Sequence, residues 1–403
     1  MRSSAMEPKV YVEKVAGDLY LLRVDDVRVE FFEAMWEVPE RITYNAYVLA
    51  GDEPVLFDGW KREYSDLFLQ ALEEVLDPRN LKTVVVHHAE PDHSGTVPAV
   101  AEAAPRAVFV GHPLAGRILR SHFRVERFKP VGDGERLSAC GRTLRFVYTP
   151  WLHWPDTIVT YVEEDGVLLS CDVFGSYSLP PLFDDRADRS RLSKAIRKYT
   201  VTVIGHYIDH VGKGVEKLRS LGITPRVIAP GHGPVYRSEP GWVVEEYLKV
   251  ASGRWEPGKA VIAYVSMYGA VEEAVNAAKR ALEGKGFRVC VFGFTDKARP
   301  PVSEVLAEAS DAELLVLGAP AYEASAHPLM VHVARLIGEK LPHRRGMPVI
   351  LLSSYGWGPV GKALAELLRS YGFSNLYTFE FEGAPRESEL EEALKSIVGK
   401  GMS

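Results

Sequence analysis

The chain has 403 residues, of which 46% are hydrophobic and 25% are charged, and its formal net charge is −6. This length exceeds what one ordinary core supports, so two domains are expected, and the composition excludes a disordered or collagen-like chain. The acidic charge gives no electrostatic reason to bind nucleic acid or an anionic membrane. No run of about 18 apolar residues predicts a transmembrane helix.

The cysteines are few and widely spaced, at Cys140, Cys171 and Cys290. Because no CxxC pair exists, neither a disulfide framework nor a cysteine-bound metal module is expected. The N-terminal stretch MRSSAMEPKVYVEK lacks the apolar run of a signal peptide. We therefore expect a protein of the reducing cytoplasm.

The first 250 residues predict a mixed α/β domain. A helical pattern covers Ser65–Leu76, among short apolar runs that are typical of strands. These runs are Ala46–Leu49, Val55–Phe57, Val84–Val86, Val108–Val110, Leu144–Tyr148, Ile158–Val162, Val167–Ser170 and Val227–Ala229.

From Val261 onward, strand and helix patterns alternate regularly. The predicted strands are Val261–Val265, Arg288–Phe294, Leu314–Leu317, Val349–Leu352 and Leu376–Phe381. The predicted helices are Val271–Leu282, Val302–Ala309, Leu329–Ile337, Val360–Leu368 and Ser388–Ile397. This alternation predicts a doubly wound parallel sheet of five strands, which binds ligands at the carboxyl ends of its strands. The Gly- and Pro-containing segment Ser252–Lys259 is the expected linker, which predicts domains at 1–256 and 257–403.

A dense cluster of potential metal ligands follows the predicted strand Val84–Val86. His88, Glu90, Asp92 and His93 lie within six residues. A strand that runs into a turn and a helix can divide such residues between two metal ions. The alternative is a polar turn with a capping Asp, but buried polar groups at this density need partners.

Three more candidates also follow predicted strands: His153, Asp172 and His232. A single histidine at a strand end is more often structural than a ligand. Seven His, Glu and Asp side chains that all lie at strand ends instead indicate one metal centre.

The order His-x-Glu-x-Asp-His, followed by His, Asp and His, resembles the flavodiiron branch of the metallo-β-lactamase fold. The resemblance implies an N-terminal αββα sandwich that holds two non-haem irons. The implied ligands are His88, Glu90 and His153 for one iron, Asp92, His93 and His232 for the other, and Asp172 as a bridge. No catalytic residue beyond these metal ligands is implied.

Glu90 separates this branch from the zinc hydrolases of the same fold, which usually have a second histidine at its position. Carboxylates are hard ligands that suit iron or manganese, whereas additional imidazole suits zinc. The carboxylates Glu90, Asp92 and Asp172 also offset much of the charge of two divalent ions.

The C-terminal part resembles flavodoxin, and three predicted loops carry the resemblance: Ser266–Val271, Gly318–Ser325 and Ser353–Gly358. Backbone N–H groups of the first loop and the following helix N-terminus would hold a phosphate. The expected FMN-binding residues are Ser266, Met267, Tyr268, Gly269, Ala270, Pro320, Ala321, Tyr322, Ser354, Tyr355, Gly356, Trp357 and Gly358.

The first loop departs from the flavodoxin pattern, because Ala270 and Val271 stand where side-chain donors to the phosphate are usual. Ala321 likewise replaces a common threonine. A hydroxyl contact contributes about 0.5–1.5 kcal/mol. We therefore expect FMN at lower occupancy than is usual.

By resemblance, the chain is expected to reduce O2 to water or NO to N2O, with electrons relayed by FMN. The electron donor would be a separate rubredoxin-like protein or reductase, since the cysteine count leaves no fused rubredoxin. At least a homodimer, or a tetramer, is implied. The alternatives are a dinuclear zinc hydrolase with a degenerate flavodoxin domain and a non-catalytic flavin- or metal-binding regulatory protein.

Overall fold

The computed structural model describes residues 7–383, 385–386 and 388–389. The chain divides into two compact units. The first comprises Met1–Thr200 and Asp209–Leu248, and the second comprises Val201–Ile208 and Lys249–Ser403. The domain boundary between residues 256 and 257 stays a prediction, and the grouping of Val201–Ile208 with the second unit was not predicted.

The first unit contains two large β-sheets and a small hairpin. The seven-stranded sheet has the order β1-β2-β5-β6-β7-β8-β9, the five-stranded sheet runs from β10 to β14 in sequence order, and β3 pairs with β4. The strands are β1 (Lys9–Ala16), β2 (Leu19–Asp26), β3 (Phe31–Phe32), β4 (Trp36–Glu37), β5 (Ile42–Leu49), β6 (Val55–Phe57), β7 (Thr83–Val86), β8 (Val108–Gly111), β9 (Phe128–Pro130), β10 (Arg136–Ala139), β11 (Arg142–Tyr148), β12 (Ile158–Val162), β13 (Val167–Cys171) and β14 (Val227–Pro230).

Helices connect these strands. They are α1 (Ser65–Glu73), α2 (Pro91–Ser94), α3 (Val97–Ala103), α4 (Pro113–Phe123), α5 (Arg189–Tyr199), α6 (Asp209–Ser220) and α7 (Pro240–Ala251). Shorter helical turns lie at Arg62–Tyr64, Pro78–Asn80, Asp184–Arg186, Thr200–Ile204 and Gly205–Tyr207.

The two large sheets pack face to face around one hydrophobic core. Phe57 and Val85 of the seven-stranded sheet belong to the same buried cluster as Phe146, Leu169 and Ala229 of the five-stranded sheet. Alternate residues of each strand point into this core, as in other sheet sandwiches. The predicted sandwich is confirmed.

The strand ends that carry the candidate ligands belong to parallel pairs. β6, β7 and β8 are parallel neighbours, and β13 is parallel to β14. Parallel strands end at the same edge of a sheet. Residues that follow β7, β13 and β14 therefore lie at strand ends from which they can meet.

The second unit is built on a parallel sheet of order β16-β15-β17-β19-β20. Its elements are β15 (Lys259–Val265), α8 (Ala270–Glu283), β16 (Arg288–Phe294), α9 (Val302–Ala309), β17 (Leu314–Tyr322), β18 (Ser325–Ala326), α10 (Pro328–Lys340), a helical turn at Pro342–Arg344, β19 (Val349–Tyr355), α11 (Gly361–Ser370) and β20 (Leu376–Glu382). This strand order is the flavodoxin-like doubly wound order, which confirms the predicted fold. From position 390 onward, the predicted helix Ser388–Ile397 lies outside the described residues.

Two of the predicted loops in this unit are partly strand. β17 continues through Pro320 and Ala321 to Tyr322 and pairs with the short antiparallel β18, which the sequence analysis missed. β19 likewise continues to Tyr355. Strand pairing with a neighbour carries the backbone past the end of the apolar run, so hydropathy alone places these ends too early. Within the described residues, no helix is long and apolar enough to cross a bilayer.

Candidate metal centre

The turn after β7 divides the first cluster of candidate ligands. Glu90 is the N-cap residue of the short helix α2, and a proline follows it at the first helical position, where its fixed φ and missing N–H are well tolerated. The backbone N–H groups of His93 and Ser94 donate to the Glu90 carbonyl at 3.0 and 2.9 Å. This tight turn places His88 and Glu90 in one group of side chains and Asp92 and His93 in another.

The first group brings together His88, Glu90, His153 and Asp172, whose ligand atoms lie within 4.8 Å of one another. Glu90 Oε2 lies 3.0 Å from Nε2 of both His88 and His153. Asp172 Oδ2 lies 3.5 and 3.3 Å from the same two nitrogens. The two imidazoles and two carboxylates therefore face one small volume.

The second group brings together Asp92, His93 and His232. Asp92 Oδ2 lies 3.5 Å from His93 Nε2 and 3.3 Å from His232 Nε2. The other Asp172 oxygen, Oδ1, lies 2.8 and 3.1 Å from these two nitrogens. Asp172 thus presents one oxygen to each group, as the bridging role requires.

Hydrogen-bond partners behind two of the histidines orient their rings. His88 Nδ1 lies 3.2 Å from Asp156 Oδ1, and the other Asp156 oxygen accepts the Ala89 N–H at 2.8 Å. His232 Nδ1 donates to the Thr43 carbonyl at 2.6 Å. Each contact leaves Nε2 facing the centre, and such outer partners commonly fix the tautomer of metal-ligating histidines.

The loop that carries His232 is held by β5 and leaves no room for a side chain at Gly231. Asn45 Nδ2 donates to the carbonyls of Pro230 and Gly233, and the Gly233 N–H donates to Thr43 Oγ1. A Cβ atom at Gly231 would lie 2.6 Å from His93 Cε1. Close packing against a second ligand therefore requires glycine here.

The centre is buried, and several of its polar atoms face oppositely charged neighbours without forming a hydrogen bond. His88, His93 and His232 are 0% exposed and Asp172 is 1% exposed. Among the described residues, the buried atoms without a hydrogen-bond partner include both Asp92 carboxylate oxygens, His93 Nδ1, Asp172 Oδ2 and His232 Nε2. An unsatisfied buried polar atom costs about 1–3 kcal/mol, so such a concentration indicates a site built for a ligand.

The electrostatics of the centre favour positive charge. Burial disfavours the charged imidazolium of His153 and His232, but nearby carboxylates outweigh it. Asp172 and Glu90 raise the pKa of His153 to about 9, and Asp172 and Asp92 raise the pKa of His232 to about 10. Burial alone would raise the pKa of the Asp172 carboxyl, yet the surrounding histidines lower it well below its ordinary value.

All seven sequence-predicted ligands are brought together, whereas some of their supporting residues were missed. Asp156 lies in the segment that contains His153, but nothing in its local pattern distinguishes it from a turn residue. Tyr199, at the end of α5, donates its hydroxyl to Asp172 Oδ1 at 2.8 Å. His87 forms no part of either group: it lies 2.7 Å from both Asp58 Oδ2 and Thr160 Oγ1.

In the second unit, the predicted flavin residues lie around the carboxyl ends of β15, β17 and β19. Tyr268 and Trp357 are 94% and 84% exposed. Ser266 is buried, and its Oγ accepts the Gly269 N–H at 3.2 Å. Of the remaining predicted residues, Met267, Gly356 and Gly358 follow these strand ends, and Ala270 begins α8. The others are the last residues of β17 and β19: Pro320, Ala321, Tyr322, Ser354 and Tyr355.

A metallo-β-lactamase-like sandwich with a carboxylate-rich dinuclear ligand set, joined to a flavodoxin-like unit, defines a class of flavin- and metal-dependent oxidoreductases. Residues 42–233 match the family model described as ODP family beta lactamase. The structure is similar to that of a mutant flavo di-iron protein from Thermotoga maritima, with 36% sequence identity and a TM-score of 0.92. The match covers 99% of this chain and 100% of the T. maritima chain.

Two curated relatives have similar lengths. A nitric oxide reductase from Moorella thermoacetica is 28% identical over 87% of this chain and 88% of its own length. A rubredoxin-oxygen oxidoreductase from Megalodesulfovibrio gigas is 28% identical over 96% of each chain. The chain belongs to the flavodiiron protein family and is an oxidoreductase, and the zinc-hydrolase alternative is not favoured.

Proposed function

We propose that this protein reduces O2 to water, NO to N2O, or both, at two non-haem irons held by the seven candidate ligands. The main support is the position of the Glu90 carboxylate, whose Oε2 lies 3.0 Å from both His88 Nε2 and His153 Nε2. The names of the relatives from M. gigas and M. thermoacetica point to oxygen and to nitric oxide, respectively. Both activities need the same ligands, so the preferred gas stays open.

The donor set fits two irons better than two zinc ions. One group offers two imidazoles and the Glu90 carboxylate, the other offers two imidazoles and the Asp92 carboxylate, and Asp172 has an oxygen in each. Hard carboxylate oxygens together with imidazole suit iron or manganese. The unpartnered atoms of Asp92, Asp172 and His232 would gain partners when metal binds.

Bound irons would supply the coordination positions and the redox chemistry for gas reduction. The protein supplies the geometry and the surroundings. Asp172 holds the two groups at a fixed separation, and the Tyr199 hydroxyl restrains the carboxylate through its 2.8 Å hydrogen bond. Burial of His88, His93 and His232 keeps bulk water from the ligands, which strengthens electrostatic interactions inside the site.

We also propose that the second unit holds FMN beside Tyr268 and Trp357 and collects electrons from a separate rubredoxin-like protein or reductase. Exposed aromatic rings at the carboxyl ends of parallel strands provide an apolar surface for a flavin ring, and the start of α8 provides N–H groups for a phosphate. The phosphate would rely mainly on backbone donors, because Ala270 and Val271 have no hydroxyl.

The flavin assignment is tested by titrating flavin-free protein with FMN. Trp357→Ala should raise the Kd about 2- to 10-fold, which corresponds to the roughly 0.5–1.5 kcal/mol of an aromatic contact. Trp255→Ala is the matched control, because Trp255 is a 53% exposed tryptophan of the same unit that precedes β15. Equal effects of the two changes would contradict the assignment.

The resemblance also implies at least a homodimer, in which the flavin of one subunit serves the irons of another. We propose this assembly, or a tetramer built from it. Sedimentation analysis of the active enzyme tests the proposal, and an enzyme that is fully active as a monomer would contradict it.

The metal and the reaction are tested together on protein purified without oxygen. About two irons per chain, and consumption of O2 or NO by the chemically reduced enzyme, are expected. Two zinc ions with hydrolytic activity would instead favour the zinc hydrolase. Two irons without gas consumption would favour a regulatory protein.

A further inference from the structure

A half-enclosed apolar cavity of about 250 Å³ lies in the first unit between α6, α7 and the five-stranded sheet. Leu168 and Ile228 form its floor, and Val215 of α6 and Val244 of α7 are among its walls. Their strand neighbours Val167, Leu169, Val227 and Ala229 belong to the core between the two sheets. Because side chains alternate along a strand, the cavity lies on the opposite face of this sheet.

The lining determines which molecules the cavity can hold. The charged residues of the lining are Arg219 and Glu245, which form an ion pair of 3.3 Å and are more than half exposed. The other lining residues are apolar apart from Thr224 and Gly241. An apolar cavity of about 150 Å³ in another protein stays dry and binds benzene or xenon. A charged ligand would lose its hydration here without enough partners to replace it.

The floor of the cavity belongs to the two strands that carry metal ligands. Leu168 pairs with Ile228 in the parallel register of β13 and β14. Asp172 follows Leu168 by four residues, and His232 follows Ile228 by four. Phe174, which also lines the cavity, lies two residues beyond Asp172. The cavity is therefore built on the same strands as the metal centre but uses none of its ligands.

We propose that this cavity is a binding site for small, uncharged, apolar molecules, the diatomic gas substrate among them. The assignment of a gas substrate rests on the proposed function, whereas the apolar site itself does not. Apolar gases leave water for apolar cavities for the same reason as other apolar solutes. A gas held here accumulates within the domain that holds the metal centre.

Xenon is the probe for the site, because it is apolar and visible by X-ray diffraction. Gly241 in α7 lines the cavity, and a Cβ atom added there meets no atom within 4 Å. Because Gly241 is exposed, Gly241→Leu should fill the open side of the cavity, and without backbone strain, since leucine is favoured over glycine in helices. Gly212→Leu is the matched control, because Gly212 lies in α6, is equally open, and does not line the cavity.

In xenon-pressurised crystals, we expect one xenon in the cavity of the unmodified protein and of Gly212→Leu, and its loss in Gly241→Leu. Val244→Phe, which fills the cavity from another position, should also exclude xenon. An absence of xenon from the unmodified protein, or its retention in both filled variants, would overturn the apolar site.

The gas assignment is tested by stopped-flow mixing of reduced, iron-loaded enzyme with O2 and with NO. Gly241→Leu and Val244→Phe should lose rate at low gas concentration and recover it at saturation, while Gly212→Leu keeps the original rate. Unchanged rates in the filled variants would overturn the gas assignment. The xenon result does not depend on iron, so failure of the proposed function remains distinguishable from failure of the site.

Discussion

The candidate metal centre and the predicted flavin loops are built in opposite ways. The centre consists of seven largely buried side chains whose ligand atoms converge within 4.8 Å in each group. The flavin loops instead present exposed aromatic rings, such as those of Tyr268 and Trp357, and backbone N–H groups at a helix N-terminus. One site thus depends on side-chain identity, and the other depends on the path of the backbone.

This difference predicts different sensitivity to substitution. A buried carboxylate that faces two groups of ligands has no substitute, because each oxygen has a separate role. A phosphate that relied on several backbone amides would lose only part of its binding energy when one side chain changed. Substitution of a metal-ligand candidate should therefore greatly reduce metal affinity, whereas substitution of one residue in the predicted flavin loops should change FMN affinity only moderately.

The largest effect is expected for Asp172→Asn. The amide cannot supply two anionic oxygens, so the metal affinity of both groups should fall. The fall should exceed about 100-fold, which is the upper end of the range for loss of a residue that only supports a ligand. Metal analysis of the purified variant should find far fewer than two irons per chain. Asp184→Asn is the matched control, since Asp184 is also buried but accepts the N–H groups of Arg237 and Ser238. A full iron content in Asp172→Asn would contradict the proposed bridging role of Asp172.

The next effect concerns the stability of metal-free protein, which should fall as the pH rises from 7 to about 10. The pKa of His153 is raised to about 9 and that of His232 to about 10. A raised pKa adds stability below the unfolded value of about 6.5, and this stability is lost as the pH passes the folded value. With about 1.4 kcal/mol for each pKa unit, each histidine by itself would lose about a few kcal/mol. The two losses are not independent, because both rings face the Asp172 carboxylate.

Urea unfolding at several pH values measures this loss. Iron-loaded protein is the control, because bound metal takes the place of the protons and should flatten the decline. A metal-free protein with constant stability between pH 7 and 10 would show that the carboxylates do not create the negative potential inferred for the centre.

A smaller effect is expected for Asp156→Asn, which keeps the shape of the partner behind His88 but removes its charge. Loss of such an outer partner typically costs about 10- to 100-fold in metal affinity. The loss should be confined to the metal of the first group, so competition with a chelator should release one iron before the other. Asp133→Asn is the control, because Asp133 also accepts a backbone N–H, from Tyr148. Equal weakening of both irons would contradict the division into two groups.

The smallest effect is expected in the flavin loops, for Ala270→Ser. The added hydroxyl at the start of α8 should strengthen FMN binding by about 0.5–1.5 kcal/mol, or roughly 2- to 10-fold in Kd. Riboflavin, which lacks the phosphate, is the control ligand, and its affinity should not change. If both flavins gain equally, the residue does not face the phosphate.

The sequence indicated the candidate metal ligands better than the residues that hydrogen-bond to those ligands. His88, Glu90, Asp92 and His93 form a dense polar motif after an apolar strand, and His153 follows the same pattern. By contrast, Asp156 and Tyr199 act through single long-range contacts with His88 and Asp172. Contacts between residues that are far apart in the chain produce no local sequence motif, so the sequence could not have indicated them.

The sequence alone predicted a mixed α/β first part, a doubly wound sheet in the second part and seven candidate ligands at strand ends, because hydrophobic periodicity and polar motifs are local properties. The sandwich fold, the division of the ligands between two irons and the flavin-binding residues were implied by the resemblance to a known family. Only the tertiary structure decided that Asp172 presents one oxygen to each group, that the Thr43 carbonyl orients His232, and that β17 extends to Tyr322. These features depend on the pairing of strands that are distant in the chain, which brings residues together without any signal in their spacing.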